Sequence, residues 1–116
     1  MSDVKITVGG GMEEEATRSF DDAWHRAERG ETFRERRLAF ESWDALARVL
    51  TNKRMDLLRY VHRHEVKSVR ALAKALGRDY SNVHADVQAL TTAGLLDAAD
   101  GGLRADYDAT ETKIAI

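Results

Sequence analysis

Two helix-length apolar stripes meeting at a single glycine constrain this chain more than any other feature. Val69, Leu72, Ala73 and Leu76 recur at i, i+3, i+4 and i+7, which places them on one face of a helix. Ser68 precedes them as a capping hydroxyl, and Gly77 follows as a left-handed stop. Asp79 is then the N-cap of a second helix running to about Ala93, with Val83, Val87 and Leu90 inward and Gly94 as its stop. Two helices joined by so tight a turn predict a helix-turn-helix. Beyond Gly94, Leu95 and Leu96 read as the start of a strand, Asp100-Gly101 as a two-residue hairpin turn, and Leu103 as part of the return strand. That hairpin is a wing.

Upstream, Lys5 to Val8 alternates polar and β-branched residues and reads as a short strand ended by Gly9, Gly10 and Gly11. From Glu13 to Arg29 the residues Ala16, Phe20, Ala23, Trp24 and Ala27 form a helical face. Glu13, Glu14 and Glu15 favour the positive end of that helix, and Gly30 stops it. Its Phe20 and Trp24 read as core or dimer interface. Phe33 to Phe40 predicts a second strand, completing a small strand-helix-strand unit. Two strands alone are marginal and require a third or a partner sheet. Ser42 caps a short helix with Trp43, Leu46, Ala47 and Leu50 on one stripe. Thr51 caps the next, Asn52 to about Glu65, whose inward residues are Met55, Leu57, Leu58 and Val61. Proline is absent, so nothing forces a break inside these helices.

The 116 residues allow one compact domain with a small extension, and 43% hydrophobic content supports a core that a partner chain would help to complete. With no cysteine, disulfides and thiolate chemistry are excluded and a cytoplasmic location is expected. The opening MSDVKITVGGG lacks the pattern of a signal peptide, and no apolar run is long enough for a membrane span. The net charge of -2 conceals a strong segregation. Residues 53–90 carry eight basic against four acidic side chains, whereas 1–31 carry four against eight and 91–116 carry two against five. Screening makes the local field, and not the total, decisive for a polyanion at close range.

That basic block contains the helix pair. Stepping 100° per residue from Val83 puts Arg78, Ser81, Ala85, Gln88 and Thr92 on the outward face of the second helix, with Asn82 and His84 flanking them. These side chains suit duplex DNA, whose major groove admits one helix and is read by short polar groups: Gln and Asn match adenine and Arg matches guanine. Ser81, Asn82, His84, Ala85 and Gln88 are the expected base-reading residues, with Ala85 permitting close approach. For His84, base contact and structural packing are both open. Lys67, Ser68, Arg70, Lys74 and Arg78, with Arg104 on the wing, are the expected phosphate contacts. Asp86 turns back toward the protein and reads as the partner of a nearby arginine, with Arg70 the candidate.

Other chemistry is poorly supported. The glycine run lacks the Lys-Ser/Thr of a phosphate loop, and three glutamates follow it. His62 and His64 fall on different helix faces with no carboxylate at zinc-ligand spacing. Neither paired carboxylates in an apolar setting nor a Ser-His-Asp order stands out. An enzyme is not expected, nor is a metal or other cofactor.

The run Leu50-Thr51-Asn52-Lys53-Arg54, Leu57-Leu58, Ser68 to Ala73, Leu76 to Asp79, Asn82 to Val87, Leu90 and Gly94 to Leu96 resembles the winged helix-turn-helix prokaryotic regulators of the MarR-like kind. More narrowly it is similar to small DNA-binding proteins, some of them antitoxins of toxin-antitoxin pairs. The likeness extends to the first strand, the Trp24 helix, Phe40-Glu41-Ser42 and Tyr107-Asp108. The chain departs from those relatives at Ser81 and Ala85, where they often place Lys or Arg, and at Asn52 and Asp106, where proline is common.

The resemblance implies that Lys113 to Ile116 folds back as a strand beside the N-terminal pair. The expected fold is therefore α+β and mainly helical, in three parts. Residues 1–41 form a strand-helix-strand extension that is the dimerisation candidate, 42–105 form a winged helix-turn-helix, and 106–116 form a C-terminal strand. The expected function is a sequence-specific DNA-binding regulator, a dimeric repressor whose partner is double-stranded DNA. The alternative is a winged-helix protein-interaction module that neutralises a toxin.

Overall fold

The computed structural model describes residues 2–9, 34–99 and 101–116, and the chain is an α+β protein with four helices among them. The elements run β1 (Ser2–Val8), β2 (Arg34–Phe40), α1 (Trp43–Val49), α2 (Asn52–Arg63), α3 (Val69–Leu76), α4 (Tyr80–Ala93), β3 (Asp97–Ala99), β4 (Gly102–Arg104) and β5 (Ala109–Ile114). The expected helix Glu13–Arg29, with Phe20, Trp24 and the Gly30 stop, lies outside the described residues. No described helix is long and apolar enough to cross a membrane. Two compact units emerge, one of residues 1–46 with 107–116 and one of residues 47–106, the division falling within α1.

In the first unit, β1 is the middle strand of a sheet ordered β2-β1-β5. Both pairings are parallel, with Ile6 opposite Leu38 on one side and Thr112 on the other. Parallel neighbours cannot be joined by a tight hairpin, so the separation of β1 from β2 in sequence follows from their pairing. Alternation along β1 buries Val4, Ile6 and Val8, each 1% exposed, while Lys5 and Thr7 face the other way. The tail strand supplies the third member that two strands needed. It starts at Ala109 and ends at Ile114, earlier at both ends than the expected Lys113–Ile116.

The helix stripe expected from Trp43 through Leu50 is largely exposed. Only Leu46 is buried, and Trp43 is 57% exposed.

The second unit is built around Leu57, Leu58 and Val61 of α2, Leu72 and Ala73 of α3, and Val83, Val87 and Leu90 of α4, all buried. Thr51, Ser68 and Asp79 each accept a backbone N–H three residues on, from Arg54, Ala71 and Asn82 respectively. Helix α2 ends at Arg63 instead of near Glu65, and the chain turns extended at His64, which lets Val66 bridge Leu103.

Both α3 and α4 end in the same motif. Gly77 and Gly94 adopt left-handed φ of 65° and 87°. In each, the N–H of the following residue reaches back five positions, Arg78 to the carbonyl of Ala73 and Leu95 to that of Leu90. That backward turn tucks Leu95 and Leu96 into the core, so the hairpin begins at Asp97 and not at Leu95. Strands β3 and β4 pair antiparallel, with Ala99 opposite Gly102 and two residues between them. The Leu103 N–H donates to the Val66 carbonyl at 2.9 Å, which fastens the hairpin to the segment between α2 and α3.

Candidate functional site

Helix α4 has one inward face and one outward face. With Val83, Val87 and Leu90 buried, the helical repeat leaves Ser81, Asn82, His84, Ala85, Gln88 and Thr92 exposed, all five residues expected to read bases among them. Ser81, Ala85, Gln88 and Thr92 form a continuous row at spacings of four, three and four. The row offers a hydroxyl, a methyl, an amide and a second hydroxyl.

Lys67, Ser68, Arg70 and Lys74 are exposed on α3 and the segment before it. The Ser68 oxygen is engaged in capping, accepting the Ala71 N–H at 3.0 Å, and its hydroxyl proton is left to donate elsewhere. Arg104 lies on β4 with its guanidinium 3.8 Å from an Asp106 carboxylate oxygen, both side chains well exposed.

Arg78 does not belong to the surface row. Its Nη2 donates to Asp86 Oδ2 at 2.7 Å, and its side chain is only 21% exposed. Asp86 in turn accepts on Oδ1 from Arg54 Nε at 2.9 Å. The partners of Asp86 are therefore Arg54 and Arg78, in place of the expected Arg70. The reason is positional: Asp86 sits just before buried Val87, on the flank that faces α2 and the Gly77 turn, where both guanidiniums arrive. Arg54 also donates from Nη1 to the Arg48 and Val49 carbonyls at the C-terminal end of α1, so one side chain satisfies a helix end and a carboxylate together. Burial alone would push the Asp86 carboxyl up, but hydrogen bonds from Arg54 and Arg78 and their charges outweigh it and hold its pKa below the ordinary value.

Arg70 takes a different role. Its guanidinium carbon lies 5.1 Å from the centre of the Tyr80 ring, within cation-π range, and Tyr80 is 43% exposed. The His84 ring meets Tyr80 at 5.8 Å between centroids, tilted by 37°. An exposed aromatic at the start of α4 thus joins a cation of α3 to a histidine of the outward face. Tyr80 was not singled out from the sequence, although its i, i+4 spacing to His84 is the signal that carries it.

His62 and His64 each place Nδ1 against a backbone carbonyl, of Ala105 at 2.8 Å and Tyr60 at 3.0 Å, and must donate there. Among the described residues no cluster of three His, Cys, Asp or Glu side chains is arranged to hold a metal ion. What the outward face of α4 can do is present donors, acceptors and a methyl to a surface while Arg70, held against Tyr80 at the start of the helix, supplies positive charge alongside.

The model of a protein family described as HVO_A0114 matches residues 49–112, a span that holds α2, α3, α4 and the hairpin. No curated protein and no solved structure matches the chain.

Proposed function

The chain belongs to the HVO_A0114 family, and on the geometry of its helix pair we propose that it is a sequence-specific DNA-binding transcription regulator, acting as a dimeric repressor. In this reading α3, the Gly77 turn and α4 are a helix-turn-helix, and β3 with β4 is its wing. The observation that carries it is the division of α4: Ser81, Asn82, Ala85 and Gln88 exposed opposite a buried apolar stripe, with Lys67, Arg70 and Lys74 exposed on α3 and the segment before it and Arg70 reaching Tyr80 of α4.

Helix α4 enters the major groove. Gln88 and Asn82 have the paired donor and acceptor that match adenine, Ser81 can serve either kind of base edge, and Ala85 meets a thymine methyl at close approach. Arg70, Lys74, Lys67 and the Ser68 hydroxyl contact phosphates, which sets orientation without reading sequence. Arg104 adds a phosphate contact from a wing that also carries Asp97 and Asp106. Arg78 holds the turn between the helices through Asp86 and contributes shape in place of contact. Two copies would present two such helices about 34 Å apart to a palindromic site.

Fluorescence anisotropy with duplexes from the chain's own upstream region, at two salt concentrations, tests this reading. Binding that weakens with salt at about -0.9 per neutralised phosphate in a log-log plot is expected. Absence of binding at low salt, with a stoichiometric protein co-purifying instead, would favour a toxin-neutralising interaction module.

A further inference from the structure

We infer that β5 is the contact through which two copies of this chain join, by antiparallel pairing about a two-fold axis at Thr112. The inference names the interface of the dimer proposed above and stands on the first unit alone.

Among the described residues strand β5 is an edge of the sheet ordered β2-β1-β5, and apart from half-buried Thr110 its residues are exposed. An open edge is a template for another strand, so what it carries decides what it accepts. The Ala115 N–H donates to the Val8 carbonyl at 2.9 Å, which orients the alternation along the strand. Residues 109, 111 and 113 turn their backbone groups toward β1 as Ala115 does. Thr110, Thr112 and Ile114 turn theirs outward.

Outward groups must pair with outward groups, so a two-fold axis falls on a residue and not between residues. An axis on Glu111 sets that carboxylate against its own copy, and one on Lys113 does the same with ammonium groups. Only the axis on Thr112 places Glu111 opposite the partner's Lys113, and Lys113 opposite the partner's Glu111. The same register sets Thr110 beside the partner's Ile114 on the face that holds Val4, Ile6 and Val8, covering an isoleucine that is 47% exposed in one copy. Glu111 already bonds Lys5 of β1, so in the dimer it would stand between two cations. The opposite edge is unsuited to self-pairing, since β2 has three arginines against one glutamate. The charges on β5 thus reject the two adjacent registers and favour the one centred on Thr112. The product is a six-stranded sheet, β2-β1-β5 continued by its own copy.

Sedimentation equilibrium of the full chain without DNA tests this and separates its failure from failure of DNA recognition. The wild type is expected to dimerise reversibly at or below about 100 μM, the weak end for a small interface. K113E opposes a glutamate to the partner's Glu111, and E111K opposes a lysine to the partner's Lys113, so each should weaken self-association by about tenfold or more. An equimolar mixture of the two should recover it as a heterodimer, and so should the double variant E111K/K113E. Because E111K, alone or in the double variant, also removes the Lys5 bond, K113E carries the test if either of those does not fold, as read by circular dichroism. A wild type that stays monomeric at about 100 μM, a folded K113E that dimerises as the wild type does, or a folded double variant no better than K113E would overturn the inference.

Discussion

Arg78 Nη2 lies 2.7 Å from Asp86 Oδ2, so the residue that leaves the Gly77 turn is tied to the middle of the helix that follows it. Together with Arg54 this forms a half-buried triad of two cations and one anion linking α2, the turn and α4. Each member has little exposure, from 14% for Asp86 to 21% for Arg78, so screening by water is limited.

Replacing Asp86 with Asn keeps the shape and removes the charge, leaving two guanidiniums facing a neutral amide. A loss of about 1–3 kcal/mol at neutral pH is expected, below the cost of breaking a fully buried pair because the triad is partly wet. The folded carboxyl titrates below its unfolded value, so its contribution is complete above about pH 5 and disappears as pH falls through the folded pKa. Urea melts of both proteins should therefore differ by a constant amount from about pH 5 to 8 and converge as pH falls through the lowered pKa of folded Asp86. A difference that persists unchanged at the acid end would contradict the assignment.

Glycine positions should respond unequally to alanine. At Gly102, with φ of 109°, a Cβ would lie 1.9 Å from the Val66 carbonyl oxygen and 2.9 Å from Lys67 Cα, both backbone atoms that cannot step aside. G102A should cost at least about 3 kcal/mol, combining left-handed strain with separation of the hairpin from Val66. At Gly77 a Cβ meets nothing within 4 Å, so G77A should cost only about 1–2 kcal/mol of backbone strain. Denaturation midpoints in one buffer compare them directly.

These two sites also mark where the sequence was legible. Caps and stops are local: Ser68, Asp79, Gly77 and Gly94 act on backbone groups within five residues, and each does what its position implied. The inward stripe of α4 is likewise a matter of helical period, and with it the outward face. Partner choice is tertiary. That Asp86 needed a cation could be read from its place beside Val87. Which arginine arrives depends on the packing of α2 against α4, and nothing local distinguishes Arg54 from Arg70. The start of β3 was misplaced for a similar reason, since Leu95 and Leu96 are apolar in a strand or in a core and only the backward turn at Gly94 separates the two. Gly102 carried no signal at all, because its constraint comes from Val66, thirty-six residues earlier.

The proposed DNA contacts predict two classes of effect. K74A should weaken binding to all duplexes alike and lower the salt slope by about 0.9, as loss of one phosphate contact requires. Q88A should leave the slope unchanged and cost about 1–3 kcal/mol on the preferred site only, relaxing preference at one base pair. Anisotropy titrations on a preferred and a scrambled duplex measure both.

Tyr80 should act through Arg70. Y80F keeps the ring face and should bind as the wild type does, whereas Y80A removes the surface over which the guanidinium lies and should weaken binding several-fold, by about 0.5–1 kcal/mol, without altering preference. Equal losses for both variants would show that the hydroxyl matters and the ring does not.

The outward row of α4 as a reader of duplex sequence is the claim on which the account turns, and selection from random duplexes at low salt addresses it most directly. The purified chain should enrich a palindromic motif, and the same selection with Q88A should return that motif degenerate at one position in each half-site. Recovery of no motif by the wild type, or of an identical motif by Q88A combined with a substitution at Asn82, would contradict it.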